Sequence, residues 1–203
     1  MRFSFSTLSC PKWDFPTIQT RAKEYGYDGV EVRGFLNESI LTATNVFLTD
    51  PRKVREQFAD AGVEISCLAS SIAMTGRRRE DGRLAADVRR YVDTAAGMGC
   101  RYVRVFDTQV RPGQTRAEAA GTLANWLMPL ADYAAEQDVT LLVKNALSFR
   151  NAKEVWLILE MASNHPAIAV CWDAFNAALA SEANSISIPT LNSRIQYVQV
   201  KDA

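Results

Sequence analysis

The sequence predicts an α/β fold, a (β/α)₈ barrel of which seven strands are visible and the eighth is lacking. Three observations predict it. Short Val- and Ile-rich runs alternate with longer amphipathic ones along all 203 residues. One helix–glycine–strand junction is used three times. And the apolar runs end in polar residues, where parallel barrels carry their chemistry.

The strand candidates are RFSFS (from Arg2), GVEVRG (from Gly29), VEISCLAS (from Val63), RYVRVF (from Arg101), VTLLVK (from Val139), AIAVCWD (from Ala167) and IQYVQVK (from Ile195). Each is short, β-branched and bounded by polar residues or glycine. Between them lie helical patterns. Asp14 is placed to cap a helix that has Pro16 in its first turn and Gly26 just past its end. Asp50, Pro51 and Gly62 repeat that plan. GRLAADVRRYVDTAAGMG and TRAEAAGTLANWLMPLADYAAEQ are longer helices, and Leu123, Trp126, Leu127 and Leu130 fall at helical spacing as core. NAKEVWLILEMASN follows the fifth strand, and SEANSISIP reads as loop.

The repeated junction appears as AKEYGYDGVEV, FADAGVEIS and AAGMGCRYVRV. A helix closes on glycine and the chain drops into a strand. Strand, helix, strand in this order implies parallel pairing, with a period of roughly thirty residues. An open doubly wound sheet shares that pattern, but no glycine-rich phosphate fingerprint follows the first strand. A full barrel usually takes about 200 to 250 residues, and here the seventh strand runs into VQVKDA. The expectation is a single domain over residues 1–203, incomplete at its C-terminus. Strands one and seven then lack a partner, which leaves an open edge for a homo-oligomer contact.

Composition excludes several classes of partner. Lys plus Arg number 23 and Asp plus Glu number 23, so the net charge is zero and neither nucleic acid nor an anionic membrane is expected. The run Arg77, Arg78, Arg79 is followed at once by Glu80 and Asp81 and reads as a solvated loop or helix start. No apolar stretch approaches the ~20 residues that span a bilayer. Cys10, Cys67, Cys100 and Cys171 form no CxxC pair and read as buried free thiols of a cytoplasmic protein. His165 is the single histidine, which excludes a multi-histidine metal site.

The strand ends carry Glu31 and Arg33, Arg104 and Asp107, Lys144 and Asn145, Asp173 with Asn176 beyond it, and Gln199, Lys201 and Asp202. Charges in a barrel mouth are costly unless paired or hydrated, so this set is a binding site or an ion-pair network. Asp173 can ligate a hard cation or cap the following turn. Gln199 alternates with Val198 and Val200; if the valines pack outward against helices, Gln199 points into the barrel, and Lys201 shares its facing. Glu31 is expected to pair with Arg33 or Arg104. His165 precedes a strand and lies at the opposite end.

The segments FSTLSCPKWDFPTIQTRAKEYGYDGVEVRG, LLVKNALSF, VCWDAFNA and YVQVKDA resemble, in order and spacing, motifs of the sugar phosphate isomerase/epimerase family, the xylose isomerase-like TIM barrels. The resemblance covers essentially the whole chain. It implies a sugar, polyol or sugar-acid ligand, and in full-length relatives a metal-dependent proton transfer next to a carbonyl. It implies one divalent metal (Mn²⁺, Mg²⁺, Co²⁺ or Zn²⁺) held by residues of strands five to eight, commonly Glu, Asp, His and Glu. Asp173 matches the strand-six aspartate. Gln199 stands where histidine is usual, as in relatives that dehydrate 3-dehydroshikimate. Asn176 takes a place often held by histidine, and Lys144 stands where the strand-five glutamate belongs. The strand-eight glutamate has no counterpart.

The resemblance thus casts Asp173 and Gln199 as metal ligands and Lys144 as the residue at the catalytic position. Glu31, Arg33, Arg104, Asn145, Asn176 and Lys201 are candidate substrate contacts. An ammonium cannot ligate a cation. At ~4 Å and an effective dielectric of ~20 it repels one by about 4 kcal/mol, roughly three powers of ten in affinity. Two arrangements accommodate Lys144: burial makes it a neutral base or Schiff-base amine, or it pairs with Asp173. Three functions follow as expectations: an impaired isomerase or epimerase, a non-catalytic sugar or sugar-acid binding module, and a 3-dehydroshikimate dehydratase-like lyase.

Overall fold

The computed structural model describes residues 1–201. Seven strands form one sheet in sequence order: β1 (Ser4–Ser6), β2 (Gly29–Val32), β3 (Glu64–Ala69), β4 (Tyr102–Phe106), β5 (Thr140–Lys144), β6 (Ile168–Asp173) and β7 (Ile195–Gln199). Every pairing is parallel. Among the described residues, β1 pairs only with β2, and β7 only with β6. The intervening helices are α1 (Phe15–Glu24), α2 (Val46–Thr49), α3 (Pro51–Asp60), α4 (Arg78–Met98), α5 (Arg116–Ala135), α6 (Ala152–Met161), α7 (Ala174–Leu179) and α8 (Asn184–Leu191).

Local chemistry accounts for most helix boundaries. Asp14, Asn45 and Asp50 accept hydrogen bonds from backbone N–H groups of the first turns of α1, α2 and α3. Thr115 with Glu118, and Asn151 with Glu154, form reciprocal capping boxes at α5 and α6. The three anticipated glycine junctions are all left-handed, with φ of 73° at Gly26, 65° at Gly62 and 68° at Gly99. That conformation releases each chain from its helix into the next strand.

Alternation along the strands divides the buried residues into two layers. Val30, Val32, Val103, Val105, Leu141, Val143, Ile168, Val170 and Trp172 join the helices in the main core. On the opposite face, Cys67, Leu142, Ala169 and Cys171 form a small inner cluster packed against Tyr102 and Tyr197. All four cysteines are buried free thiols. Desolvation pushes Cys100 and Cys171 up to about 12, and Cys67 and Cys10 also upward.

The sheet curls. The Tyr197 hydroxyl on β7 lies 3.0 Å from Ser66 Oγ on β3, and Gln199 Nε2 donates to Glu31 Oε2 on β2. Both links join strands separated by several neighbours in the sheet, so they cross the barrel interior. Ser66 reaches this position beside the register shift between β2 and β3 at Val30/Glu31.

Two expectations need correction. SEANSISIP is not mainly loop, since α8 occupies Asn184–Leu191. Its sequence signal was inverted: Ile186 and Ile188 are exposed, while Ser187 and Leu191 are buried and α8 packs against α6. Val198 and Val200 do lie opposite Gln199, but among the described residues no helix covers them; they are 55% and 83% exposed. No helix among the described residues is long and apolar enough to cross a membrane.

A Cβ at Gly29 would meet Glu64 O at 2.5 Å, inside the β2–β3 ladder, whereas one at Gly62 meets nothing within 4 Å. Gly62→Ala is therefore expected to lose only about 1 kcal/mol, from left-handed strain. Gly29→Ala is expected to lose clearly more, because two strands must separate. Urea denaturation of both variants measures the difference.

Candidate binding site at the barrel mouth

The C-terminal ends of the strands bring their polar residues to one rim. Asp173 on β6 is the register partner of Gln199 on β7. Lys144 ends β5 beside Cys171, and Glu31 and Arg104 point inward from β2 and β4. Glu31, Arg33, Arg104, Lys144, Gln199 and Lys201 line one cavity of about 590 Å³. It opens along the seam between β1 and β7, where Ser4, Ser6 and Val198 also line it. An adjoining cavity of about 700 Å³ lies under the loops after β1 and β2, and Arg33 lines both.

A continuous polar network occupies this mouth. Lys144 Nζ sits 2.7 Å from Asp173 Oδ2 and donates also to Gln199 Oε1. Gln199 turns its amide N–H toward Glu31. Lys201 Nζ lies 2.9 Å from the same Asp173 oxygen, 3.3 Å from Asn176 Oδ1 and 5.2 Å from the Phe175 ring centre. The other Asp173 oxygen accepts the Asn176 backbone N–H at 2.9 Å and caps α7. Burial alone would raise the Asp173 carboxyl. The hydrogen bonds from Lys144, the Asn176 backbone and Lys201 outweigh it and hold the group below its ordinary value. Lys201 is half-exposed, so water screens its share.

Asn145 and Asn176 serve as framework in this arrangement. Asn145 Oδ1 accepts the Asp173 backbone N–H, and its Nδ2 donates to the carbonyls of Arg150 and Asp173 at 3.1 Å. Asn176 Nδ2 donates to the Asn145 carbonyl at 2.8 Å. Glu31 is not salt-bridged to Arg33 or Arg104, contrary to expectation: Gln199 reaches across the barrel to it first. Arg104 instead donates to the Ser70 carbonyl at 2.5 Å and lies 4.4 Å over the Phe106 ring. Arg33 Nη2 is 3.3 Å from Ser71 Oγ. His165 lies away from the mouth, against Asp132 on α5 at 3.1 Å.

This donor set does not fit a divalent cation. Both Asp173 oxygens are engaged, the Gln199 carbonyl oxygen faces an ammonium, and Lys144 stands between the two groups that would ligate. Among the described residues there is no grouping of three or more His, Cys, Asp or Glu able to hold a metal. Of the two arrangements open to Lys144, the geometry has the pair with Asp173.

One contributor, Tyr197, was not singled out from sequence, and the part played by Asp107, named there only as a strand-end residue, was not read. Tyr197 precedes Gln199 by two residues, so strand alternation could have placed it on the inner face. Asp107, fully buried after β4, accepts the backbone N–H groups of Leu147 at 2.6 Å, Phe149 at 2.8 Å and Ala146 at 3.4 Å. It thereby fixes the loop that follows Lys144. Such a clamp has no sequence signal, because its partners lie about forty residues away.

Burial pushes the Asp107 carboxyl up to about 7 despite those three donors. Between its ordinary value of 3.8 and about 7 the folded state holds a proton that the unfolded state has released. Stability from this group therefore falls as pH rises through that window. Asp173 has the opposite sign: its contribution is present at neutral pH and is lost as pH falls below the ordinary carboxylate range. Denaturation measured across pH should show a decline toward pH 7 that Asp107→Asn flattens. Asp173→Asn, which leaves two ammonium groups without their carboxylate, should cost about 3 kcal/mol at pH 7 in urea titrations.

Residues 20–203 match the family described as xylose isomerase-like TIM barrel. Among curated proteins, none matches the chain in sequence. Among solved structures, a xylose isomerase-like TIM barrel/4-hydroxyphenylpyruvate dioxygenase fusion protein is 24% identical, with a TM-score of 0.78. The match covers 100% of this chain and 31% of the fusion protein. Escherichia coli YcjR, a 3-keto-D-glucoside 4-epimerase, is 10% identical with a TM-score of 0.82 over 100% of this chain and 79% of its own. The IOLI protein, solved with a bound zinc atom, is 15% identical with a TM-score of 0.78 over 100% of this chain and 73% of its own. Identities this low carry the fold and nothing finer. The family match spans most of the sequence and agrees with seven parallel strands whose polar residues gather at one rim: the chain belongs to the xylose isomerase-like TIM barrel family.

Proposed function

We propose that the mouth of this barrel binds a small polyhydroxylated ligand, a sugar, polyol or sugar acid, without a divalent metal and without the proton transfer of the family's isomerases and epimerases. One observation carries this reading: Lys144 Nζ sits 2.7 Å from Asp173 and donates to Gln199, in the space between the two groups nearest in kind to metal ligands.

Proton transfer next to a carbonyl needs a base of matched pKa and a positive centre that stabilises the enediolate oxygen. Asp173 is a poor base here, because two ammonium groups and a backbone N–H hold its charged form. The same groups suit hydroxyl recognition. Lys144 and Lys201 offer N–H donors. Glu31 offers an acceptor oxygen beside the one that Gln199 engages. The Phe175 ring lies near Lys201 at the rim. A dehydratase reading has only Gln199 in its favour, and that side chain is held between Lys144 and Glu31.

Calorimetry with a panel of sugars, polyols and sugar acids tests the reading. Binding is expected with equal affinity in EDTA and in Mn²⁺, and with no turnover. Lys144→Glu should gain roughly three powers of ten in Mn²⁺ affinity, read as metal retained through dialysis. A wild-type protein that keeps one equivalent of Mn²⁺, or that binds sugar only when metal is added, would overturn the proposal.

A further inference from the structure

The Arg104 guanidinium is 1% exposed, yet no carboxylate pairs with it among the described residues. Its Nη1 donates to the Ser70 carbonyl, and its Nε is buried without a hydrogen-bond partner. A buried cation with no carboxylate partner and an orphan donor is costly, and a bound anion is one group that would complete it. The other buried orphan among the described residues, Trp172 Nε1, belongs to the helix-facing core and lines no cavity described above.

Arg33 lines the same cavity and, among the described residues, has no carboxylate partner either; its side-chain hydrogen bond is to Ser71. Burial and the nearby Arg104 charge push its pKa down, with Glu31 opposing. Two guanidinium groups thus share one space that their own acids do not neutralise. Glu31 is the acid nearest in the cavity, and Gln199 engages one of its oxygens. Among the described residues, Lys144, Lys201, Arg33 and Arg104 stand against Glu31 and Asp173 at the mouth, an excess of two positive charges.

We propose that Arg104 and Arg33 form an oxyanion subsite that holds the carboxylate or phosphate head of the ligand. This rests on the binding reading above and names the ligand class: an acidic sugar derivative rather than a neutral sugar. Guanidinium geometry suits such heads, since its parallel N–H groups meet two oxygens of one anion. The hydroxylated remainder of the ligand then extends toward Lys144, Gln199 and Lys201.

The test uses the full chain and three probes. D-gluconate is compared with D-glucitol by calorimetry, and inorganic phosphate alone is followed by thermal denaturation at chloride-matched ionic strength. Gluconate should bind about tenfold tighter than glucitol or better, and phosphate should raise the melting temperature. Arg33→Ala should bring the two affinities together and abolish the phosphate effect. Arg104→Met should do the same. If Arg104→Met fails to fold, Arg33→Ala still decides. Glucose 6-phosphate in place of gluconate separates a phosphate head from a carboxylate.

Equal affinity for gluconate and glucitol overturns the oxyanion subsite and leaves the binding reading intact. A phosphate effect that persists in Arg33→Ala also overturns the subsite. Phosphate stabilisation of wild type alone, with no polyol or sugar acid bound, supports the subsite and overturns the binding reading. No response to any probe overturns both.

Discussion

The contact between Lys144 and Asp173 decides how the rest of the mouth is built. A carboxylate with no exposed surface cannot stand alone, and neither can the ammonium beside it. Each Asp173 oxygen is assigned: one ends β6 as the cap of α7, the other receives Lys144 and Lys201. Through Lys144 the pair also fixes the Gln199 amide, and through that amide it fixes Glu31 on the far side of the barrel. A single charge choice at the end of β5 therefore propagates through β6, β7 and β2.

The cross-barrel links have a mechanical role as well. β1 and β7 make no backbone pairing with each other, so the usual closure of a barrel is absent among the described residues. Side chains replace it at two levels. Tyr197 meets Ser66 in the interior, and Gln199 meets Glu31 at the mouth. Beneath them the inner cluster of Cys67, Leu142, Ala169 and Cys171 is small and apolar. The mouth is thus held by polar contacts above a thin hydrophobic plug, which differs from the thick branched layers of a fully filled barrel.

Much of this was legible in the sequence, for reasons that strand geometry makes plain. Period-two alternation fixed which way Gln199 points, because Val198 and Val200 flank it. The glycine junctions announced their left-handed conformation through helix patterns that stopped at them. The need of Asp173 for a counter-charge, with a lysine at the end of the neighbouring strand, anticipated their pairing. What could not be read depends on contacts between distant segments. Glu31 has two arginines close in sequence or on the same rim, yet its partner comes from β7, 168 positions away. The Asp107 clamp reaches a loop across a strand pair. α8 turns its isoleucines outward and buries a serine, which defeats any argument from amphipathicity.

The four thiols, two in each layer, have a use that follows from their burial. Burial holds them protonated, and the thiolate is the form that reacts. Reagents that label thiols should therefore find Cys67 and Cys171 only in moments when the curled sheet loosens, and Cys10 and Cys100 only when the helix layer lifts. The chain carries in its own composition a pair of clocks, one for each side of the sheet, by which the breathing of the curled sheet can be timed.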